Sequence, residues 1–308
     1  MPLYDMIVVG GGPAGMTAAL YALRNGKTVL VIEKEGFGGQ ITHSPKVENY
    51  PGTLSMSGTE FADRLFDQII AQGADFEIET VCAVESIGMR RVVRTEEGST
   101  YESRAVVIAT GVKHRMLGLE GEEDLVGEGI SFCAVCDGDF YTGKTVCVAG
   151  GGNSALQEAI LLAEKCSRVI MVQDLPVFTG ESRLQDVLFA KENVSSFTNM
   201  KITALLTENG SFRGIETEER TTGEKQMIVC DGLFVAIGLI PENEQFRDVA
   251  DLNEYGYFDS DEQCLTKTPG IFVAGDCRRK SVRQLTTAAA DGACAALAAC
   301  RFINENIK

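Results

Sequence analysis

Two cysteines separated by two residues, Cys133 and Cys136, are followed directly by Asp137. Thiols at this spacing can close a small disulfide ring, and the first thiol of such a pair often has a lowered pKa. A carboxyl group beside them can deliver or remove the proton that thiol–disulfide exchange needs. These three residues are therefore the candidate catalytic residues of a redox centre.

A cysteine pair at this spacing can also be one half of a zinc site. Such a site needs two further ligands, and the only histidines of the chain, His43 and His114, lie in no metal-like motif. We therefore expect a redox-active disulfide here and no bound metal.

A glycine-rich turn between a strand and a helix occurs near the start of the chain. An apolar strand over residues 4–9 runs into a turn of sequence Gly-Gly-Gly-Pro-Ala-Gly at residues 10–15, followed by a helix to about residue 25 and a strand that ends at Glu33. The glycines of such a motif permit a tight turn, close approach of the backbone to a pyrophosphate and close helix–strand packing. The helix amino terminus attracts the phosphates, and Glu33 is placed to accept hydrogen bonds from an adenosine ribose. This pattern predicts a dinucleotide-binding site.

The same pattern returns in the middle of the chain. A strand over residues 144–149 leads into the glycine turn Gly150–Ala155, a helix to about residue 165 and a strand over residues 168–173. A late strand then ends at Gly275 and Asp276, and an alanine-rich helix covers about residues 286–301. We therefore predict an α/β protein with two Rossmann-like dinucleotide-binding domains of the three-layer ββα type, the second inserted in the first. The chain would cross between them at residues 109–111 and 237–241, which carry glycine or proline.

Length and composition limit the class of protein. A chain of 308 residues is long enough for two domains, and no apolar run approaches the roughly 18 residues of a membrane span. A net charge of −16 argues against nucleic acid and anionic membranes as partners. The chain begins directly with a strand pattern, so we expect no signal peptide. The other cysteines lie in apolar patterns, which favours buried thiols in a reducing cytoplasm.

Several motifs resemble, in order and spacing along essentially the whole chain, those of the low-molecular-weight thioredoxin reductases. They are residues 10–15, 38–40, 47–52, 109–111, 133–137, 275–276 and 283–284. The resemblance implies a homodimeric flavoprotein with FAD in a split domain of residues 1–112 and 240–308. The cysteine pair would lie in an inserted domain of residues 113–239, with Cys136 facing the flavin. The residues implied in FAD binding are Gly10, Gly12, Pro13, Ala14, Gly15, Glu33, Gly39, Gln40, Asn49, Thr110, Gly111, Gly275, Asp276, Arg283, Gln284 and Leu285.

The chain departs from this family after the second strand of the middle module. NADPH-dependent members carry a His-Arg-Arg-x-x-x-Arg pattern there, whose cations hold the 2′-phosphate. Asp174, Leu175 and Thr179 occupy the three arginine positions in this chain. Each lost charge-assisted contact lowers the binding free energy of the 2′-phosphate by roughly 1.5–3 kcal/mol, and the negative charge of Asp174 repels that phosphate. NADPH is therefore not expected to be the electron donor.

Two electron donors remain open. NADH would bind if Asp174 accepted the ribose hydroxyls, although the apolar residues 175–178 make an unusual rim for a polar cofactor. The favoured donor is ferredoxin, because the chain resembles the ferredoxin-dependent flavin thioredoxin reductases, which lack the basic motif. The retained glycine turn at residues 150–155 argues against this choice.

Under the ferredoxin hypothesis, electrons pass through FAD to the disulfide and then to thioredoxin by exchange, with Asp137 handling the proton. The resemblance also implies a rotation of the middle domain, for which Gly111 and Gly238 are candidate hinges. Two alternatives stay open: a disulfide reductase that serves another redox partner, and a non-enzymatic flavin redox sensor. The intact cysteine pair and Asp137 favour an enzyme.

An acidic chain needs a local positive patch to dock an acidic ferredoxin. The candidate patch is a cluster of four cations that closely follows Asp276, namely Arg278, Arg279, Lys280 and Arg283. A second group, Arg90, Arg91 and Arg94, lies on an expected hairpin and is more typical of solvated surface charge.

Overall fold

The structure is a computed structural model that describes residues 3–44 and 46–306. Its strands are β1 (Leu3–Val9), β2 (Val29–Glu33), β3 (Asp75–Ile78), β4 (Val81–Ile87), β5 (Arg90–Thr95), β6 (Thr100–Ile108), β7 (Lys113–His114), β8 (Ile130–Ser131), β9 (Thr145–Ala149), β10 (Arg168–Val172), β11 (Val194–Phe197), β12 (Met200–Glu208), β13 (Ser211–Glu219), β14 (Lys225–Val229), β15 (Gly232–Val235), β16 (Leu239–Ile240) and β17 (Ile271–Val273). Its α-helices are α1 (Pro13–Arg24), α2 (Gly58–Ala71), α3 (Ala134–Asp137), α4 (Asn153–Ala163), α5 (Ser182–Phe189) and α6 (Leu285–Asn306). The chain forms two compact units: residues 1–113 with 240–308 (unit 1) and residues 114–239 (unit 2).

Unit 1 is built on a mixed sheet whose strands lie in the order β3-β2-β1-β6-β5-β4, with β17 also paired to β6. The pairs of β1 with β2 and β6 are parallel, and the β4–β5–β6 part is antiparallel. The central strand β1 is buried on both faces, which explains its continuous apolar sequence.

Three helices cover one face of this sheet. Helix α6 packs along α1, and a side chain at Gly292 of α6 would overlap the backbone of Ala14 at the start of α1. The small residues of α6 therefore allow the two helices to approach closely. On the other face a second apolar cluster joins the sheet to the β4–β5 hairpin and to residues 246–258.

Unit 2 has three layers. A parallel sheet in the order β11-β10-β9-β15-β8 lies in the middle, an antiparallel sheet β12-β13-β14 covers one face, and helices α3 and α4 cover the other. One apolar cluster lies between the two sheets and another lies under the helices. The prediction of an α/β fold with two Rossmann-like domains is confirmed.

Most local expectations are confirmed, with small shifts of the boundaries. Helix α1 begins at Pro13, a first-turn position that suits proline, and α6 is longer than expected at both ends. Outside the Cys133–Cys136 pair, six cysteines are buried, and Cys82 and Cys294 are exposed. No helix in the described part of the chain is long and apolar enough to cross a membrane.

Candidate active site

The redox centre of unit 2 is a disulfide between Cys133 and Cys136, whose Cα atoms are 5.3 Å apart. The short helix α3 follows β8 directly, and Cys133 lies between them. Both cysteines are half-buried, and Val135 between them is exposed. The disulfide therefore lies at the edge of the parallel sheet of unit 2, close to the surface of that unit.

Ser131 links the disulfide to Asp137. Its hydroxyl donates to Asp137 Oδ2 at 2.6 Å and accepts a hydrogen bond from the backbone N–H of Cys133 at 3.1 Å. The backbone N–H of Cys136 in turn donates to Cys133 Sγ at 3.1 Å. Ser131 thus holds the carboxyl group in a defined position beside the cysteine pair. Sequence reasoning missed this serine, because it belongs to no motif that we recognised.

Burial controls the proton affinity of Asp137. It raises the pKa of this carboxyl above its ordinary value, while the hydrogen bond from Ser131 opposes the shift. The other oxygen, Oδ1, is buried and has no hydrogen-bond partner. A carboxyl group with a raised pKa accepts and donates a proton at higher pH than an ordinary aspartate does.

The first glycine turn, in unit 1, forms an open cradle. Gly10 has a φ of +109°, and a side chain there would overlap the carbonyl of Ala109. By contrast, a Cβ on Gly12 would meet only the Gly38 carbonyl, at 3.9 Å. Helix α1 begins at Pro13 and Ala14 with no side-chain cap, so its first N–H groups are free to bind an anion.

Glu33 and the loop around Gly39 border this cradle. The Glu33 carboxylate accepts hydrogen bonds from the backbone N–H of Gly11 at 2.6 Å and of Lys34 at 2.8 Å. A Cβ on Gly39 would lie 3.4 Å from Gly12 Cα, and the adjacent Gln40 is exposed. Glu33 therefore lies beside the glycine turn as expected, while its contact with a ribose stays a prediction.

Two pairs of side chains bring distant motifs of unit 1 together. Asn49 donates to Gln284 Oε1 at 3.2 Å, which joins two of the residues implied in FAD binding. Thr110, next to Gly111, donates to Asn243 Oδ1 at 3.0 Å. Asn243 is buried, and sequence reasoning missed it.

Asp276 places a buried carboxylate oxygen without a hydrogen-bond partner at this site. The turn at Gly275 has a φ of +80°, and a Cβ there would lie 2.7 Å from Ala14 Cβ, so this turn lies against the start of α1. Asp276 Oδ1 is buried without a hydrogen-bond partner, and Lys280 Nζ is 3.7 Å away. Burial raises the pKa of Asp276, although Lys280 and Arg283 oppose the shift. A buried acceptor beside an uncapped helix start fits a ligand that carries both hydroxyl groups and phosphates.

The expected docking patch at residues 278–283 is not an exposed patch, and this expectation is wrong. The Arg278 side chain is only 8% exposed and pairs with Asp291 at 2.8 Å. The Lys280 side chain is 13% exposed and pairs with Asp291 at 3.0 Å. Arg283 lies over the ring of Tyr257, at 4.3 Å, just before Leu285 begins α6.

Only Arg279 of this cluster is largely exposed, at 67%, and it pairs with Asp259 at 3.2 Å. In the second cationic group, Arg91 is buried and donates to the Pro269 carbonyl at 2.6 Å. Arg90 and Arg94 pair with Glu102 and Glu85 on the neighbouring strands. The cations of both groups are thus bound to carboxylates or carbonyls of the fold, which the order of residues in the sequence does not show.

The second glycine turn, in unit 2, is bordered by the segment 174–181. The backbone N–H groups of Thr179 and Gly180 donate to the Gly151 carbonyl at 2.8 and 2.9 Å. Asp174 forms a two-pronged ion pair with Arg220, whose Nη2 lies 2.6 Å from Asp174 Oδ2. Asp174 is therefore paired with Arg220 at the surface of the unit. Sequence reasoning missed Arg220, since it lies on a distant turn.

Comparison with known proteins shows the class. The sequence pattern of the pyridine nucleotide-disulphide oxidoreductases matches residues 4–292. A thioredoxin reductase of Bacillus subtilis is 37% identical over 303 residues, covering 98% of this chain and 96% of its own. A 34.2 kDa protein in the rubredoxin operon of Clostridium pasteurianum is 38% identical over 302 residues, covering 97% of each chain. The crystal structure of thioredoxin reductase from Streptococcus pyogenes has a TM-score of 0.93 and 35% identity, covering 98% of this chain and 99% of its own.

The chain therefore belongs to the pyridine nucleotide-disulphide oxidoreductases and, within them, to the low-molecular-weight thioredoxin reductase family. It is an oxidoreductase, and its cofactor is FAD. The open cradle at the start of α1 and the unpartnered Asp276 fit such a group.

Proposed function

We propose that this protein reduces thioredoxin through the Cys133–Cys136 disulfide. The observation that carries the proposal is the arrangement of the disulfide on α3, with Ser131 holding the carboxyl group of Asp137 beside it. FAD, when bound, supplies the electron pair that opens the disulfide. The eight remaining cysteines take no part, since six of them are buried and none is bonded to another.

The residues of unit 1 have distinct roles in holding FAD. The free N–H groups at the start of α1 bind the pyrophosphate, since that helix has no side-chain cap. Asp276 would hold a hydroxyl group of FAD through its unpartnered oxygen. Asn49 and Gln284, which are hydrogen-bonded to each other, and the backbone at Gln284 and Leu285 would hold the ring system.

Exchange with thioredoxin needs one thiolate and one mobile proton. The thiolate of the reduced pair attacks a sulfur of the thioredoxin disulfide, forms a mixed disulfide and releases a thioredoxin thiolate. The second cysteine then attacks its partner, which restores the Cys133–Cys136 bond and releases the second thioredoxin sulfur. Two protons move from the enzyme thiols to thioredoxin, and Asp137 carries a proton during this transfer because its pKa is raised by burial.

The electron donor that we propose is reduced ferredoxin. Residues 173–181, which border the second glycine turn, contain no lysine or arginine that would hold a 2′-phosphate. Arg220 is paired with Asp174 at the surface, so NADH would have to compete with Arg220 for the Asp174 carboxylate. The description of the Clostridium pasteurianum relative, which places it in a rubredoxin operon, is consistent with a small iron protein as donor. Arg278 is buried and Lys280 is largely buried, and both are paired with Asp291, so residues 278–283 do not support docking, and the donor proposal depends on the nucleotide site and on this relative.

NADH is the second candidate donor, because the glycine turn of unit 2 keeps its geometry. Gly150 has a φ of +129°, as a dinucleotide turn requires, and α4 begins without a side-chain cap. The test is anaerobic: NADPH, NADH and reduced ferredoxin are added in turn, and bleaching of the flavin is followed. Fast bleaching by ferredoxin alone supports the proposal. Fast bleaching by NADH would indicate that NADH is the donor. If no donor bleaches the flavin, the result favours a redox sensor.

We also propose that the protein is a cytoplasmic homodimer. Most of its cysteines are reduced and buried, which suits a reducing compartment. Light scattering of the FAD-loaded protein should give about twice the 33.2 kDa mass of one chain. A mass of one chain across micromolar concentrations would contradict the dimer.

A further inference from the structure

A second carboxyl group lies near the redox centre, on the helix that follows the second glycine turn, and sequence reasoning did not single it out. Glu158 is in the middle of α4, and its Oε2 is buried without a hydrogen-bond partner. In the described part of unit 2, the only other buried side-chain oxygen of this kind is Asp137 Oδ1. Unpartnered buried polar atoms are rare in proteins, so two of them in one unit call for an explanation.

The packing of α3 on α4 brings these two carboxyl groups to the same interface. A Cβ on Gly138, the residue after Asp137, would lie 3.4 Å from Leu162 Cδ2 of α4. Glu158 precedes Leu162 by one helical turn and therefore lies on the same face of α4. The charge of Asp137 is a secondary cause of the raised pKa of Glu158, in keeping with the packing of α3 on α4.

We propose that Asp137 and Glu158 form an electrostatically coupled carboxyl pair that carries one proton, held on Glu158, and that Glu158 is the positioning residue that keeps this proton near the thiols. Two like charges in a poorly solvated interface cannot both form without a large cost, so the pair titrates in two separate steps. Ser131 donates to Asp137 and favours its charged form, so the proton stays with Glu158. Burial, and secondarily the charge of Asp137, raise the pKa of Glu158 to about 8.

No cation near Glu158 opposes this arrangement in the described part of unit 2. The elements packed against α4 are α3, α5, β9 and β10, and of their charged groups only Asp137 shifts the pKa of Glu158. Arg168 of β10 is exposed, as are Arg183 and Asp186 of α5. Cys147 of β9 is buried, and its hydrogen bond with Cys230, together with burial, raises the pKa of its thiol.

Two groups lie at the ends of this interface. Lys165, beyond α4, pairs with Asp139 at 2.5 Å. Tyr141 lies near Asp137, and burial, with the charge of Asp137, raises the pKa of its hydroxyl to about 12, so it is neutral at physiological pH. The proton of the carboxyl pair is therefore the one that titrates near neutral pH at this interface.

This inference rests on the proposed exchange with thioredoxin and adds a source for its mobile proton. When a thiol of the reduced Cys133–Cys136 pair loses its proton to Asp137, the two carboxyl groups together hold two protons, one on Asp137 and one on Glu158. The proton then passes to the thioredoxin thiolate that leaves, so the carboxyl pair returns to its starting state. Above the pKa of Glu158 both carboxyl groups are charged, and a second negative charge beside the sulfurs disfavours the thiolate that must attack.

The kinetic test uses three variants of the FAD-loaded protein. Glu158→Gln removes the titrating group at constant size, Glu158→Asp keeps a carboxyl group, and Glu164→Gln removes an exposed carboxyl group just beyond α4 as a control. Each enzyme is reduced with dithionite and mixed in stopped flow with a thioredoxin that contains tryptophan, from about pH 6 to pH 9.5. Since this chain contains no tryptophan, selectively excited tryptophan emission reports thioredoxin.

We expect the exchange rate of the wild type to break and then fall above a pH of about 8, the pKa of Glu158. The break should be absent in Glu158→Gln, retained in Glu158→Asp and unchanged in Glu164→Gln. An identical break in Glu158→Gln would overturn the proposal. If the wild type fails to reduce thioredoxin at any pH, the proposed function fails instead.

A second measurement tests the proton on Glu158 without thioredoxin. The folded-state pKa of Glu158 is raised above its ordinary value of 4.5 to about 8, so the folded protein binds more protons than the unfolded chain between these values. Stability from this group is therefore present at low pH and is lost as the pH rises through that window. The melting temperature of the oxidised wild type should fall over this range more steeply than that of Glu158→Gln. Parallel curves for the two proteins would show that Glu158 holds no proton.

Discussion

The hydroxyl of Ser131 donates to Asp137 Oδ2 at 2.6 Å and accepts from the backbone of Cys133 at 3.1 Å, so one serine connects the acid to the disulfide. This arrangement fixes the carboxyl group before any substrate arrives. It also balances the proton affinity of Asp137, since burial raises the pKa of this carboxyl and the hydrogen bond lowers it. The serine is therefore the first residue whose removal we expect to alter the thiol chemistry.

Replacing Ser131 by alanine should slow thioredoxin reduction. It should also shift the acid limb of the pH–rate profile to higher pH. A hydrogen bond to a charged group contributes about 1.5–3 kcal/mol, so we expect a loss of roughly ten-fold or more in the rate of the thiol step. Without the donor, the pKa of Asp137 rises further, and the acid limb of the pH profile should shift to higher pH. The profile is measured by stopped flow with a Ser167→Ala control, whose hydroxyl donates only to the backbone of Lys144. An unshifted acid limb in Ser131→Ala would show that Ser131 has no part in the proton step.

Replacing Cys133 or Cys136 by serine should abolish thioredoxin reduction and leave FAD bound, because these thiols act after the flavin. Asp137→Asn should slow the reaction while leaving the disulfide intact, since it alters only proton delivery. Cys294→Ser is the matched control, as Cys294 is an exposed free thiol in unit 1. Turnover by the double serine variant with its natural donor would contradict the proposed function.

Asp276→Ala should weaken FAD binding. The unpartnered oxygen of Asp276 is the buried acceptor of the site, and the loss of a charged hydrogen bond of about 1.5–3 kcal/mol lowers affinity by roughly ten- to a hundred-fold. Titration of the apoprotein with FAD, followed by flavin fluorescence, measures this change. Asp259→Ala is the control, because Asp259 is half-exposed and pairs only with the exposed Arg279. Equal affinities of the two variants would remove Asp276 from the FAD site.

Arginines placed at residues 174, 175 and 179 should increase the affinity of unit 2 for a 2′-phosphate. We expect the triple variant Asp174→Arg, Leu175→Arg, Thr179→Arg to bind 2′,5′-ADP, while the wild type does not bind it measurably. Each new charge-assisted contact strengthens the binding of the 2′-phosphate by about 1.5–3 kcal/mol. Calorimetry with 2′,5′-ADP and with 5′-AMP separates the 2′-phosphate from the rest of the nucleotide. Micromolar binding of 2′,5′-ADP by the wild type would restore NADPH as a donor.

Arg278→Ala should destabilise the protein much more than Arg279→Ala. The first change removes a nearly buried guanidinium with its bonds to Asp291, Ser260 and the Asp261 carbonyl, and hydrogen bonds of a charged group contribute about 1.5–3 kcal/mol even though Lys280 still pairs with Asp291. The second removes an exposed ion pair that contributes about 0–1 kcal/mol. Urea unfolding of the two variants gives the difference, and similar midpoints would mean that Arg278 is not part of the folded core.

The sequence by itself was sufficient for the features that depend on local chemistry. Glycine at residues 10 and 275 permits backbone conformations that other residues avoid, so the turns, and with them the Rossmann-like units, were predictable. The spacing of Cys133 and Cys136 likewise predicted a small disulfide ring, because that geometry depends on only a few bonds.

Tertiary packing decided which charges are free to act. Arg278 and Lys280 follow Asp276 closely in the chain, yet Asp291 of the next helix, α6, binds both of them, so they form no exposed docking patch. Asp174 is similarly paired with Arg220, which lies beyond the reach of any local pattern. The Asp137–Glu158 pair depends on the packing of α3 against α4. Burial and long-range ion pairing set the pKa and the availability of a charged side chain, and both depend on residues that are close in space but far apart in sequence.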